Sequence, residues 1–402
     1  MITARSLLFG FCALIATYVG WRFYVKYFYT TPPTIEVTGI TENNYYSGNI
    51  ACQICVHSRG KLSTVKLFLD NDAILTKTVP HGSKYDEEFT LATRSLTTGL
   101  HTLKIEATDA TRNHNQATFI VPFGADNLPL QVCFARPESD FKVSQGRTFH
   151  LIIATNKPLK RVVLNLFSRE FVAVPESDNA RIYEAFVPLE CEEKTGDYPF
   201  TVLIEDHVGN YTTLASKLTV VPAQFKRQIL HHIDSEKFAE ERKLGISDKE
   251  FKDQLLEIST KSPKKKLWRG VFYVPLNSNW ITCEFGTKRV SQERGCYTHA
   301  AVDMVGPAPR SIVWAPQDGI VAIKDRFEVN GNTVVIDHGC GVVSILCHLD
   351  QFADIAVGDK IRRGSPLGYT GKTGYATGDH LHWEMRVNNV NVDPLQWTKA
   401  DF

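Results

Sequence analysis

His380-Leu381-His382-Trp383-Glu384 is the stretch from which the rest of the chain can be read. Side chains alternate across an extended strand, so His380 and His382 face one side and Leu381 the other. Two rings about 6–7 Å apart can serve one reaction centre without both binding the same ion. Upstream lies Cys347-His348-Leu349, within a region rich in Gly and β-branched residues, and farther upstream stand His299 and Asp303. On a straight strand, residues four apart sit about 13 Å apart, too far to share an ion. The segment Thr298–Asp303 must therefore turn, which the small Ala300-Ala301 pair permits. Imidazole and carboxylate are ligands for a catalytic zinc: three protein ligands with an open fourth position make a hydrolase, and four make a closed structural staple. The spacing favours the hydrolase. The other histidines show no partner pattern, and His338, in Asp337-His338-Gly339-Cys340-Gly341, reads as part of a hairpin turn.

Several further motifs occur in order around these residues. They include Ile281-Thr282-Cys283-Glu284-Phe285-Gly286, Gly331-Asn332-Thr333-Val334-Val335-Ile336-Asp337-His338-Gly339, Val357-Gly358-Asp359-Lys360-Ile361 and Gly368-Tyr369-Thr370-Gly371-Lys372-Thr373-Gly374. Together they resemble the catalytic domain of the lysostaphin-type (LytM-domain) zinc metallopeptidases, murein endopeptidases, over roughly residues 268–397. The resemblance implies that His299, Asp303 and His382 hold Zn2+. It implies that His348 and His380 are the unligated catalytic pair, which orients or deprotonates the water and stabilises the oxyanion. Ala301 departs from the glycine usual there, and Tyr297 is the nearest candidate for the family's oxyanion tyrosine. The implied reaction is hydrolysis of peptidoglycan peptide cross-links. All five polar positions are retained, which favours an active enzyme over a non-catalytic or latent cell-wall regulator, such as an amidase activator or an adhesin.

The chain has 402 residues, is 43% hydrophobic and carries a formal net charge of +1. That length accommodates about two to four domains, and the balanced charge argues against a dedicated nucleic-acid binder. Ser6–Trp21 is an uncharged apolar run between Arg5 and Arg22, with an aromatic cluster after it. It predicts an uncleaved single-pass membrane anchor within residues 1–29, with the bulk of the chain in the periplasm or on the extracellular side. Nine cysteines invite a disulfide reading, but Cys52 and Cys55 would face opposite sides of a strand, and buried free thiols fit equally well.

An internal repeat organises the middle. Gly99–Asp109 recurs as Gly196–Asp206 at an offset of about 97 residues, the length scale of an immunoglobulin-like sandwich. Leu103, Ile105 and Ala107 in one copy, and Phe200, Val202 and Ile204 in the other, alternate as on half-buried strands. Residues 33–123 and 124–222 are therefore expected to be Ig-like sandwiches, spacers in the simplest view. Phe225, Ile229, Leu230 and Ile233 have helical spacing, and Ser247-Asp248-Lys249-Glu250 forms a capping box before a second helix. These predict a helical connector over 223–266, leading to an antiparallel β peptidase domain over 267–402. The expected chain is thus mostly β, its cofactor Zn2+, its partners peptidoglycan, the membrane and a protein regulator.

Overall fold

The computed structural model describes residues 4–27, 31–79, 82–137, 139–177, 180–229, 249–278, 280–291, 295–400 and 402. The chain is mostly β and divides into two compact units, residues 1–129 with 206–210, and residues 130–205 with 211–402.

In the first unit, Thr34–Thr38, Ile50–His57 and Lys84–Leu91 form one sheet. Tyr45–Tyr46, Gln116–Ala125, Gly99–Asp109, Leu62–Leu69 and Asp72–Thr78 form the other. Ile54 and Val56 of the first sheet share a core with Val65, Leu67, Leu103 and Ile105 of the second, so the alternation in the sequence is the alternation of a two-sheet sandwich. In the second unit Val174–Pro175, Ile182–Pro188, Thr148–Thr155 and Val132–Arg136 face a five-stranded sheet that contains Gly196–Glu205 and Tyr211–Val221. The repeat is also visible in the turns. Asp109 Oδ1 accepts from Asn115 N at 3.0 Å, and Asp206 Oδ1 accepts from Asn210 N at 2.8 Å. The asparagine matching Asn210 is thus Asn115, because the first loop is two residues longer.

Two expectations change. Residues Ala4–Tyr27 do form a helix, but the membrane anchor is not supported: among the described residues no helix is long and apolar enough to cross a membrane. Thr17 and Gly20 dilute the apolar run, and Arg22 ends it. The helical start of the connector is replaced by the strand Arg227–Ile229, which pairs in parallel with Thr287–Ser291. Apolar residues four apart fit a helix in isolation, but here Phe225 packs against Gly286, where a Cβ would lie 2.1 Å from the ring. Leu230, Ile233 and the first two residues of the capping box lie outside the described residues, and a helix follows over residues 249–261. No disulfide forms: all nine cysteines are free.

The C-terminal region is built on an eight-stranded antiparallel sheet. Its order is Trp280–Cys283, Val302–Val305, Leu381–Val387, Val342–Leu349, Gly331–Asp337, Gly319–Phe327 and Lys360–Ile361, with Val390–Val392 paired to the far end of Leu381–Val387. Val334, Val335, Ile336, Ile345, Leu346, Leu381 and Trp383 are fully buried on its two faces. Within the second unit this region and the sandwich share one core. Phe186 and Val174 of the sandwich cluster with Trp268, Phe272, Met385 and Trp397, and Phe186 stacks on Trp397 at 5.5 Å between ring centroids. Gln396 adds a reciprocal pair of bonds: its side-chain Oε1 accepts from Thr148 N at 2.8 Å, and its Nε2 donates to Thr148 O at 2.9 Å.

Candidate metal centre

Three neighbouring strands and one adjoining sheet bring the five predicted residues together. The strand Gly295–His299 belongs to a small sheet with Thr287–Ser291 and Arg227–Ile229. The chain leaves that sheet at His299, bends through Ala300 and Ala301, and enters the large sheet at Val302. The bend folds His299 back over Asp303, with Nε2 3.2 Å from Asp303 Oδ2. Asn391 Nδ2 donates to Ala300 O at 3.2 Å and holds the bend. Asp303 lies directly opposite His382 in the ladder, and His382 lies opposite Cys347.

Each imidazole is oriented by its far side. His348 Nδ1 donates to Thr373 O at 2.9 Å, and His380 Nδ1 donates to Gly378 O at 2.9 Å. Carbonyl oxygens only accept, so Nδ1 carries the hydrogen in both rings, and in the neutral form of either the bare nitrogen is Nε2. His382 has two carboxylate partners: Nδ1 meets Asp303 Oδ1 at 2.8 Å and Nε2 meets Glu384 Oε1 at 3.3 Å. Glu384 is itself held by Arg386 Nη2 at 3.0 Å and Asn391 Nδ2 at 2.8 Å. The His348 and His380 rings lie 4.8 Å apart, and those of His299 and His382 lie 5.3 Å apart. His348 takes a left-handed φ of +63°, a strained conformation for a side chain with a Cβ, at an irregularity in the ladder.

The electrostatics divide His299, His348 and His382 into two kinds. Burial works against a charge on His382, yet Asp303 and Glu384 outweigh it and raise its pKa to about 9. Burial would raise Asp303, but the imidazoles of His299 and His382 beside it hold its carboxyl well below the usual carboxylate range. His348 is pushed down to about 4, chiefly by burial and then by the neighbouring His382 and His380. It is a neutral base at pH 7. Burial likewise lowers His299, whose buried Nε2 has no hydrogen-bond partner.

That orphan nitrogen tests the fit of a metal. A buried imidazole nitrogen with no partner, aimed at a carboxylate that is itself strongly anionic, is what a site looks like when its donors are arranged for a cation. His299, Asp303 and His382 offer two nitrogens and one oxygen, a donor set suited to Zn2+. Among the described residues a further donor lies beside two of these three: Cys283 Sγ, a ring nitrogen of His299 and a carboxylate oxygen of Asp303 are all within 4.8 Å of one another, a group that does not include His382. Sequence reasoning placed Cys283 in a motif but gave it no role. Tyr297 stands two residues before His299 on the same strand, hence on the same side of it.

Residues 297–394 match Peptidase family M23. The C-terminal region is an M23 peptidase domain. Over 121 residues the chain is 38% identical to the DD-carboxypeptidase/endopeptidase Mpg of Neisseria meningitidis serogroup B, covering 30% of this chain and 27% of that protein. It is 31% identical over 121 residues to the peptidoglycan DD-endopeptidase ShyC of Vibrio cholerae, covering 30% of this chain and 28% of that one. The match thus spans about a quarter of the length of these curated relatives. A solved structure of a putative M23 peptidase from Pseudomonas aeruginosa aligns over 68% of this chain and 94% of its own, with 21% identity and a TM-score of 0.44. The M23 domain therefore includes all five predicted residues, and Cys283 lies just before the matched segment.

Proposed function

We propose that this chain is a zinc-dependent endopeptidase that cuts peptide cross-links of peptidoglycan. The observation that carries the proposal is the convergence of His299, Asp303 and His382, with His299 Nε2 buried and unpartnered, inside an M23 domain. In this reading the metal is held by His299 Nε2, one oxygen of Asp303 and His382 Nδ1. Zinc bound there supplies Lewis acidity toward a water and the scissile carbonyl. Glu384, by accepting from His382 Nε2, fixes the tautomer that leaves Nδ1 free to bind.

The protein's own groups handle the proton. His348 is neutral at pH 7, with its Nδ1 hydrogen committed to Thr373 O, so Nε2 can take a proton and return it to the leaving amine. His380 Nε2, 3.9 Å from Asp303 Oδ1, stands across from it and can donate once protonated to the developing oxyanion. The exposed Trp280 and Tyr375 and the glycine-rich turns from Gly364 to Gly378 suit a cleft for an extended peptide. The relatives named DD-endopeptidases suggest that the bond is the D-alanyl link of directly cross-linked walls. The reading requires the domain to work outside the cytoplasm, where that substrate is. The two sandwiches are taken as Ig-like modules.

The test is digestion of purified peptidoglycan, directly cross-linked and glycine-bridged, by the zinc-loaded full chain, with mass spectrometry of the new peptide ends. New ends from the direct type, absent with His382→Ala and with His348→Ala, are the expected result. Stoichiometric zinc without cleavage of either wall would overturn it.

A further inference from the structure

The strand Trp280–Cys283 does not pair regularly with Val302–Val305. Ile281 faces Met304, but Cys283, not Thr282, faces Asp303, so one extra residue is inserted between them. A bulge of this kind turns the following side chain, and bulges concentrate beside active sites for that reason. Its result here is that Cys283 is brought opposite the carboxylate of Asp303. Cys283 is 7% exposed, and its sulfur lies within 4.8 Å of both Asp303 and His299. Independently, His299 is 8% exposed and its Nε2, the nitrogen beside Asp303 Oδ2, has no hydrogen-bond partner. Around a tetrahedral zinc, neighbouring donor atoms sit roughly 3.3–3.7 Å apart, given bond lengths of about 2.0–2.3 Å.

We infer that Cys283 is a fourth ligand, whose thiolate closes the metal centre in the resting protein. The inference rests on the metal site proposed above and adds its regulation. Binding forms a metal–sulfur bond and releases two protons to solvent, one from the Cys283 thiol and one from Nδ1 of His382, which then binds as a neutral imidazole. The charges suit the set: Asp303 and a thiolate neutralise a dication, and His299 and His382 add no charge. With four protein ligands the open position that hydrolysis needs is filled, so the resting centre is of the closed type. Activity then requires the sulfur to leave, by reprotonation or by displacement when substrate binds. The open state has the three-ligand set, and the rest state has all four.

The test loads the metal-free full chain with Co2+ as a spectroscopic stand-in for zinc. Wild type is expected to bind one Co2+ with a near-ultraviolet sulfur-to-cobalt charge-transfer band. Cys283→Ser and Cys283→Ala should still bind one Co2+ but without that band, which also shows that both variants fold. Zinc affinity should drop by about 100-fold or more, since even a lost outer partner costs about 10–100-fold. Stoichiometric Co2+ with no sulfur band in wild type, or a band that survives in both variants, overturns the fourth ligand while leaving the three-ligand site intact. No Co2+ binding by wild type overturns the metal site itself, and the inference with it.

Discussion

Single residues in this domain are set by what lies behind them. In the proposed site, Glu384 lies 3.3 Å from His382 Nε2, the partner that would leave Nδ1 for the metal. Glu384→Gln keeps the shape and removes the charge. Zinc affinity is expected to fall about 10–100-fold, read by chelator competition, with the melting behaviour of the metal-free protein little changed. His338 makes a different point. The sequence pattern reads it as a turn residue, but its ring is fully buried, with Nδ1 donating to Asp318 O at 2.7 Å and Nε2 accepting from Ser344 Oγ at 2.9 Å. Burial pushes its pKa down to about 4, so between there and about 6.5 the unfolded chain binds the proton and the folded one does not. Stability from this group is complete above about pH 6.5 and is lost as pH falls toward 4, up to about 3 kcal/mol at about 1.36 kcal/mol per unit. Urea titrations at pH 7 and pH 5 should show a smaller pH-dependent loss for His338→Gln than for wild type. Equal losses would exclude this origin.

At the scale of elements, the informative failures have a common cause. His380, His382 and the turn between His299 and Asp303 were legible because they depend on spacing along a few residues. Cys283 was not, because its place opposite Asp303 follows from a bulge in a ladder between segments twenty residues apart. Arg227–Ile229 was misread because a three-residue strand carries too little alternation to compete with a chance helical spacing. The turn before Gly331 shows how tightly such elements support the site. Gly331 has φ +63°, and a Cβ there would come within 2.4 Å of the carbonyl carbon and oxygen of Thr373, the group that orients His348. Gly331→Ala is therefore expected to move the Thr373 loop and lower kcat by up to about 100-fold, since displacements near 1 Å have that effect. Metal content should be unchanged. A normal kcat would mean that His348 needs no such anchor.

At the scale of the whole molecule, the second unit is one body with two architectures. Phe186 sits in the sandwich and is 7% exposed, but its ring packs on Trp268 and Trp397 of the peptidase region at 5.7 and 5.5 Å. Removing it empties a shared core. Phe186→Ala is expected to cost about 3–5 kcal/mol, and hydrogen exchange should show strands of both architectures losing protection together. If only the sandwich loosens, the shared core is a contact surface between independently stable parts. Glu192 of the sandwich also accepts from Thr298 Oγ1 at 2.6 Å, beside His299. A designer who transplanted the enzyme at the boundary read from the sequence, near residue 267, would strip away that acceptor and leave Trp268 and Trp397 facing water. The transferable cassette begins at Leu130, and chimaeras joined there should inherit a working catalyst where shorter ones aggregate.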